Sequence, residues 1–398
     1  MQTFDWIVIG NGIAGAAVSY ELAKQGLAVL LVDQRLEPDN ATRHSYAGIP
    51  YWSGTDAVTR QLGQEGLAKH RQLTDELGSD TEFRELDLLL TLSDQDDRAK
   101  FEDQFSKFAT PPRFLSAGDA KALEPLLNAG AITGAFAVRH GHVSATALIR
   151  AYNRAFQRLR GTLLIAPVTG LVRIKDTITG ITTDEQAYPA KQVVVAAGGM
   201  SRSLLQRAKI HVPVYYTQAE LIETPPLDID LQALIMPADN QRFAMEARAS
   251  QAKTDGLWDE PGHQIAPPIL DSGAIQFKDG HFCIGQISRT MTTPEPEVSP
   301  ESSANTIRQG IGEIIPALKD VPGTWHQVLV SFSRDRNPLV GPVPGISGLQ
   351  IFTGFSGPFV YVPPIAERFA KAVMGPPDDL LKEFAPGRFA STSHLGWP

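Results

Sequence analysis

An unbroken apolar run, Trp6-Ile7-Val8-Ile9, opens the chain and stops at Gly10; a second, Val29-Leu30-Leu31-Val32, stops at Asp33. Short apolar runs closed by turn signals predict strands buried on both faces. Between them, Ile13 to Gln25 keeps helical character and Gly26 ends it, so the opening reads strand, glycine turn, helix, strand. Gln61 to Leu77 predicts an amphipathic helix in which Leu62, Leu67, His70, Leu73 and Leu77 share a face, with His70 as a packed core residue. Residues 83–92 predict a strand, 94–108 a charged helix and 117–123 a short helix before Pro125. Ser144 caps a helix with Ala147, Leu148, Ala151, Tyr152, Ala155, Phe156 and Leu159 on its apolar stripe, and Arg150, Arg154 and Arg158 on its solvated face. Short strands at 163–165, 171–174 and 178–182 lead to an almost wholly apolar strand, 192–197, that ends in Ala197-Gly198-Gly199.

Beyond Pro213 the pattern turns to longer β segments, 214–223, 233–237, 242–247, 274–278 and 281–286, which predict a second, sheet-based domain. Residues 250–268, rich in Gly, Pro and acids around Trp258 and His263, predict a surface loop, with a lid over a substrate as the sharper alternative. A helix over 306–318, strands at 328–332 and 349–353 and a final helix over 364–373 complete the pattern.

Composition narrows the classes. A chain of 398 residues holds about two domains. Its net charge of −8 argues against a nucleic-acid partner, which needs a basic face. The single cysteine, Cys283, excludes an internal disulfide and, between Phe282 and Ile284, predicts a buried thiol. The first residues carry no basic leader, and no apolar run is long enough to cross a bilayer, so a cytoplasmic protein is expected; peripheral membrane contact or a partner subunit stays open.

The glycines of the opening unit carry chemistry. Gly10 takes a tight turn, Gly12 lets a pyrophosphate approach the backbone, and Gly15 lets helix pack on strand. The helix N-terminus then faces the phosphates, and Asp33 stands where a carboxylate accepts the ribose hydroxyls of an ADP-containing cofactor. The loop Thr42-Arg43-His44-Ser45-Tyr46-Ala47-Gly48-Ile49-Pro50 leaves the carboxyl end of that fold, where ligands of open α/β sheets sit. His140 and His142, in a glycine loop without nearby Cys or carboxylate ligands, point to no metal.

The fingerprint, the Thr42–Ile49 loop, the strand into Ala197–Gly199, the Gly280–Gly285 strand and the block from Asp335-Arg336-Asn337-Pro338 through Pro342 to Gly357 occur together in order. In this the chain resembles the D-amino acid oxidase/glycine oxidase (DAO) family of FAD-dependent oxidoreductases over nearly its whole length. The resemblance implies an α/β FAD-binding domain, Rossmann-like and of glutathione-reductase type, assembled from 1–82, 138–213 and 327–398. It implies an α+β substrate domain dominated by a mixed β-sheet from 83–137 and 214–326. By resemblance, Gly10, Gly12, Ile13, Ala14 and Gly15 hold the pyrophosphate of a non-covalent FAD, and Asp33, Gln34 and Arg35 its adenosine end. Thr42, Arg43 and His44 continue the dinucleotide contacts, Ala47, Gly48 and Ile49 lie by the flavin, and Val168 meets the adenine. Ala197, Gly198 and Gly199 flank the cofactor, and Gly354, Phe355, Ser356, Gly357, Pro358 and Phe359 run under the flavin pyrimidine.

Departures from the family pattern concern the substrate. The G-H-x-x-x-G run of many members has Phe355 for its histidine and Phe359 for its second glycine. The arginine that clamps a substrate carboxylate, three residues before the T-x-D-G-x-P run, falls on Val330. Either Arg334 or Arg336 supplies that clamp from a shifted position, with Pro50 and Tyr51 as further substrate-side candidates, or the substrate is not a simple α-amino acid. The expected reaction is oxidation of a C–H next to an amine or hydroxyl by hydride transfer to flavin N5. A small-molecule substrate is implied, with oxygen, a quinone or another electron acceptor. Hydroxy-acid or glycerol-phosphate-like dehydrogenation, a flavin-binding subunit of a heteromeric oxidase and, more remotely, an NAD-dependent dehydrogenase are the alternatives.

Overall fold

The computed structural model describes residues 3–37, 39–239 and 241–389. In chain order the strands are β1 Phe4–Ile9, β2 Val29–Asp33, β3 Gly48–Ile49, β4 Arg84–Leu92, β5 Arg113–Ser116, β6 Gly134–His142, β7 Thr162–Ile165, β8 Val168–Ile174, β9 Thr177–Thr183 and β10 Ala187–Val195. They continue with β11 Val214–Glu223, β12 Ala233–Pro237, β13 Gln264–Gln276, β14 Phe282–Met291, β15 Thr324–Ser333, β16 Leu339–Pro342 and β17 Leu349–Thr353. The helices are α1 Ile13–Lys24, α2 Ala57–Leu77, α3 Arg98–Phe105, α4 Ala117–Leu123, α5 Ala145–Arg158, α6 Ser201–Arg207, α7 Gln241–Ala249, α8 Ala252–Asp255, α9 Pro300–Ile314, α10 Pro358–Met374 and α11 Asp379–Lys382.

Two sheets result. The first runs β16-β17-β10-β1-β2-β7, parallel from β17 to β7, with β8 and β9 joined through β10. Its central strand β1 sends Trp6 and Val8 into a core with α1, α5 and α10, and Ile7 and Ile9 into one with α6 and β9. Both faces are covered, which is why the strand reads as an unbroken apolar run. The second sheet runs β15-β11-β14-β13-β12-β4-β6-β3, mostly antiparallel but with β12 parallel to β4, and α9 packs on it.

Strand pairing moves two expected boundaries. All of β6 pairs with β4, so residues 138–142 belong to the second sheet, and the nucleotide-domain segment resumes with α5. All of β15 pairs with β11, so the last nucleotide-domain segment begins after Ser333 and not at 327. Strand β3, inside the first expected segment, also joins the second sheet. Local departures have local causes. Residues 242–247, expected as a strand, lie in α7; their Arg-Phe-Ala-Met-Glu-Ala alternation is made of helix formers, and Met245, Glu246 and Ala249 turn inward. The helix expected at 61 starts at Ala57, because Asp56 and Thr59 close a capping box. The helix expected at 94 starts at Arg98 behind the Asp97 cap, and that expected at 306 starts at Pro300 behind the Ser299 cap. The expected loop 250–268 instead holds α8, a helical turn around Trp258 and the start of β13; Trp258 is 4% exposed and donates its indole N–H to the Ala249 carbonyl.

The final helix starts at Pro358, six residues before the expected 364, and carries Pro363 and Pro364 inside it. Each proline lacks the N–H that would bond the carbonyl four residues earlier, which frees those of Phe359 and Val360. Helix α2 packs on both. His70 Nε2–H donates to the Phe359 carbonyl at 2.6 Å, and Gly66 lets the Val360 carbonyl so close that a Cβ there would sit 2.1 Å from it. His70 is thus the core histidine expected, but with a specific acceptor.

Burial pushes His70 down to about 4 and His140 down to about 3, so both are neutral in the fold. The Nδ1 of His140 accepts the Trp52 indole N–H at 3.0 Å. A histidine whose folded pKa is depressed gives full stability above its unfolded pKa, about 6.5, and loses it as pH falls towards the folded value. Lowering pH from about 7.5 to about 5.5 is therefore expected to remove about 1.4 kcal/mol per histidine, roughly 3 kcal/mol for the pair. Urea unfolding at the two pH values measures it, and equal stabilities would refute the neutral, buried assignment.

Candidate active site

The crevice at the carboxyl ends of β1, β2 and β10 is shaped by two glycine stops. Gly10 takes φ +106°, and a Cβ on it would lie 2.6 Å from the Ala196 carbonyl, so the turn after β1 presses on the end of β10. Gly15 comes closer: its Cβ would stand 1.7 Å from the Gly10 carbonyl. Gly12 caps α1 and brings no side-chain cap of its own; the Ile13 N–H is met by Thr42 Oγ1 at 3.1 Å, whose loop is tied by Asn40 Oδ1 to the Thr42 and Arg43 N–H groups. Asp33, at the tip of β2, takes the Asn11 N–H at 2.6 Å on one oxygen and the Arg35 N–H at 3.1 Å on the other. Gln34 beside it is exposed, and Arg35 pairs with Asp39. A cleft lined by Leu36, Asn40, Thr42, Ile149 and Asn153 opens between this loop and α5. Val168 begins β8 just past the end of β7, the strand next to β2.

The second stop, Ala197-Gly198-Gly199, follows β10 as a helical turn. Gly198 takes φ +53° with nothing within 4 Å of its Cβ position, whereas Gly199 is packed against Leu329 and Tyr216. Gly354, at φ +79°, donates its N–H to Ser331 Oγ, and Gly357 caps α10. The Phe355 and Phe359 side chains are in the core, so only their backbone faces the crevice. The loop from Thr42 ends in β3, where Gly48 and Ile49 pair with His142 and Gly141; Gly48 sits on the His140 ring.

His44, expected beside the dinucleotide, ties its loop to the second sheet. Its buried ring bonds Glu223 Oε2 through Nδ1 at 2.8 Å and Asp39 Oδ1 through Nε2 at 2.6 Å, clasping the loop to β11. These bonds hold the Asp39 and Glu223 carboxyls below their ordinary range. His326 stacks on the ring at 3.9 Å and 18°. Asp39, His44 and His326 are the group of potential metal ligands among the described residues, but rings stacked face to face cannot both direct lone pairs at one ion.

The substrate-side candidates are not brought together. Arg334 donates to the Ser250 carbonyl and lies 3.5 Å from the Tyr215 hydroxyl, while Arg336 is exposed over the Phe243 ring. The Tyr51 hydroxyl, with its pKa raised by burial, lies in the field of Glu85, Arg139 and Arg71 rather than of these arginines, and Pro50 accepts from Ser53. Instead Val330 has Thr217 as its cross-strand neighbour, and Thr217 bonds Glu246, which holds Arg242. Asp271 on β13 is pushed up to about 6 by burial, against Arg242 and with Asp239 and Glu246. Sequence reasoning missed Arg242 and Glu246 by reading their segment as a strand; the four-residue spacing of an arginine and a glutamate was the available signal.

Two covered sheets, a glycine-lined crevice on the first and a strand from that crevice joining the second define a nucleotide-dependent enzyme. The sequence profile of the FAD-dependent oxidoreductase (DAO) family matches residues 5–372, and the chain belongs to that family. It is an FAD-dependent oxidoreductase, which sets the NAD alternative aside. It is 25% identical to the uncharacterized oxidoreductase YurR of Bacillus subtilis over 94% of this chain and 96% of that one. It is likewise 25% identical to the glycine oxidase of Pseudomonas aeruginosa, over 87% and 88%. The glycine oxidase structure from Geobacillus kaustophilus superposes with a TM-score of 0.79 at 19% identity, covering 100% of both chains. No helix among the described residues is long and apolar enough to cross a membrane.

Proposed function

We propose that this enzyme oxidises the carbon–nitrogen bond of an amine or amino acid, taking hydride from the carbon next to nitrogen. The observation that carries the proposal is β3. The loop leaving the nucleotide crevice ends hydrogen-bonded into the nine-stranded sheet, so a group gripped at Gly10–Gly15 extends beneath that sheet. The relatives named glycine oxidase support nitrogen rather than oxygen chemistry.

The residues fit FAD. The α1 N-terminus has no side-chain cap of its own, and Asn11 Oδ1 is buried without a partner beside it. Gly10, Gly12, Ile13, Ala14, Gly15 and Thr42 would hold the pyrophosphate, Asp33 the ribose, and Ala47–Ile49 with Gly354–Phe359 the flavin ring. Bound there, FAD supplies the hydride acceptor at N5. The chain's own part is to align the donor carbon, exclude water with the sheet roof, and present backbone N–H groups and the α10 N-terminus to negative charge on the reduced ring. That both nitrogens of His44 are engaged and Cys283 is buried in β14 supports a flavin held without a covalent bond to either.

Anaerobic mixing with amines, amino acids, hydroxy acids and glycerol phosphate tests this reading. Bleaching of the flavin by the nitrogen compounds is expected. Bleaching only by hydroxy compounds would replace the reading with hydroxyl oxidation; bleaching only after a second subunit is added would make the chain one part of a larger oxidase.

A further inference from the structure

Val330 occupies the strand position where the family resemblance expects a carboxylate-binding arginine, yet the polar groups around it form a chain that ends in another one. Thr217, directly across from Val330, donates its hydroxyl to Glu246 Oε1 at 2.8 Å. The same oxygen accepts Arg242 Nε–H at 2.9 Å. Glu246 is 1% exposed and its second oxygen is buried without a partner, so this carboxylate is fixed by Thr217 and Arg242 alone. Arg242 is partly open, with 21% of its side chain exposed, and its two terminal nitrogens bond no described residue. A guanidinium held at Nε by a buried carboxylate offers those nitrogens as a fork, the geometry that grips a carboxylate through two parallel bonds.

A negative group stands nearby. Helix α7, which carries Arg242 and Glu246, packs across β13, and Asp271 of β13 lies in the field of Arg242 and of the Asp239 and Glu246 carboxylates. The Asp271 carboxylate makes no hydrogen bond or ion pair with a described residue. Asp271 also acts on Tyr46, whose hydroxyl is buried beside Gly273 and Gly285. Tyr46 belongs to the loop that runs into Gly48 and Ile49. One guanidinium with its own counter-ion, and one further carboxylate near the flavin loop, complement a carboxylate and an ammonium group.

We infer that Arg242, positioned by Glu246, binds the substrate carboxylate in place of the arginine absent at Val330, and that Asp271 faces the substrate amino group, so that the substrate is an amino acid or N-substituted amino acid. This rests on the proposed C–N oxidation. It assigns Arg334 and Arg336 no part in substrate binding.

The test uses holoenzyme and substrate pairs that differ only in the carboxylate: sarcosine and dimethylamine, proline and pyrrolidine, alanine and ethylamine, phenylalanine and phenethylamine. Anaerobic flavin reduction is expected to favour the carboxylate member by roughly 10- to 100-fold, the range of a charge-assisted bond pair. Arg242→Leu should erase that preference by raising KM for the amino acid at least about tenfold more than KM for the matching amine, and Arg242→Lys should restore part of it. Titration of the flavin absorbance with propionate should show binding to the parent enzyme and a loss of roughly tenfold or more in Arg242→Leu. Asp271→Asn should weaken both members of a pair, since both carry the nitrogen. Amines and amino acids reducing the flavin alike, or a preference that survives Arg242→Leu, would overturn the role of Arg242. Failure of every pair to reduce the flavin would instead overturn the C–N reading beneath it.

Discussion

Gly15→Ala is expected to produce a colourless protein. The added Cβ would meet the Gly10 carbonyl at 1.7 Å, backbone against backbone, with no flexible side chain to give way. Helix α1 must then shift off β1, which costs roughly 3 kcal/mol or more and takes the N-terminal N–H groups out of reach of the phosphates. The ratio of flavin to protein absorbance after purification and reconstitution with FAD reports the second effect, and urea unfolding the first. Gly26→Ala is the control. Gly26 also has positive φ, at +83°, but nothing lies within 4 Å of its Cβ position. It should cost about 1 kcal/mol and keep its flavin. A flavin-replete Gly15→Ala protein of ordinary stability would show that the turn does not constrain the crevice as described.

Arg202→Met carries the second large effect. Arg202 of α6 is buried, and it ties the nucleotide domain to the segment that follows α7. Its Nε donates to Asp259 Oδ1 at 2.8 Å, and its terminal nitrogens reach the Asp255 carbonyl at 3.1 Å, the Asp255 carboxylate at 3.4 Å and the Val214 carbonyl at 3.4 Å. Burial pushes the Asp255 carboxyl up, but His211, Arg202 and Tyr215 together hold it well below the usual range, so it is ionised. Removing the guanidinium leaves that largely buried charge with only the Tyr215 hydroxyl and the exposed His211, at a cost of about 3 kcal/mol. Adding Asp255→Asn to Arg202→Met should return much of the loss, because the stranded charge goes with it. Denaturant unfolding of the parent, both single variants and the double variant measures the coupling. Strict additivity would mean that the two groups do not interact.

How much of this could be read from the sequence depended on whether an element's environment lies within a few residues of it. The opening βαβ unit was legible because both faces of β1 and β2 are covered and their turns demand glycine, and each leaves a local mark. The capped helix α5 was legible for the same reason. The strand Val214–Glu223 was expected with the observed ends, since its residues are buried along nearly its whole length. By contrast, α7 looked like a strand: six residues of mixed polarity cannot report that Met245, Glu246 and Ala249 share one buried side. With the element misread, Arg242 and Glu246 could not be seen as an ion pair, and the search for a carboxylate clamp fell on Arg334 and Arg336. The start of α10 was misplaced because two prolines normally bar a helix; only the contact with α2, where His70 meets the Phe359 carbonyl and Gly66 makes room for that of Val360, shows how they are accommodated.

The sequence by itself determined the strand, glycine turn, helix and acid-tipped strand from Trp6 to Asp33, because close backbone approach and a carboxylate at a strand end are demands a local motif can satisfy. Tertiary structure alone decided which strands roof that crevice, how His44 comes to bridge Asp39 and Glu223, and that Thr217, tied through Glu246 to Arg242, stands opposite Val330. Those outcomes rest on pairings such as Thr217 with Val330 and β3 with β6, between segments about a hundred residues apart, and no local pattern encodes the partner across that distance.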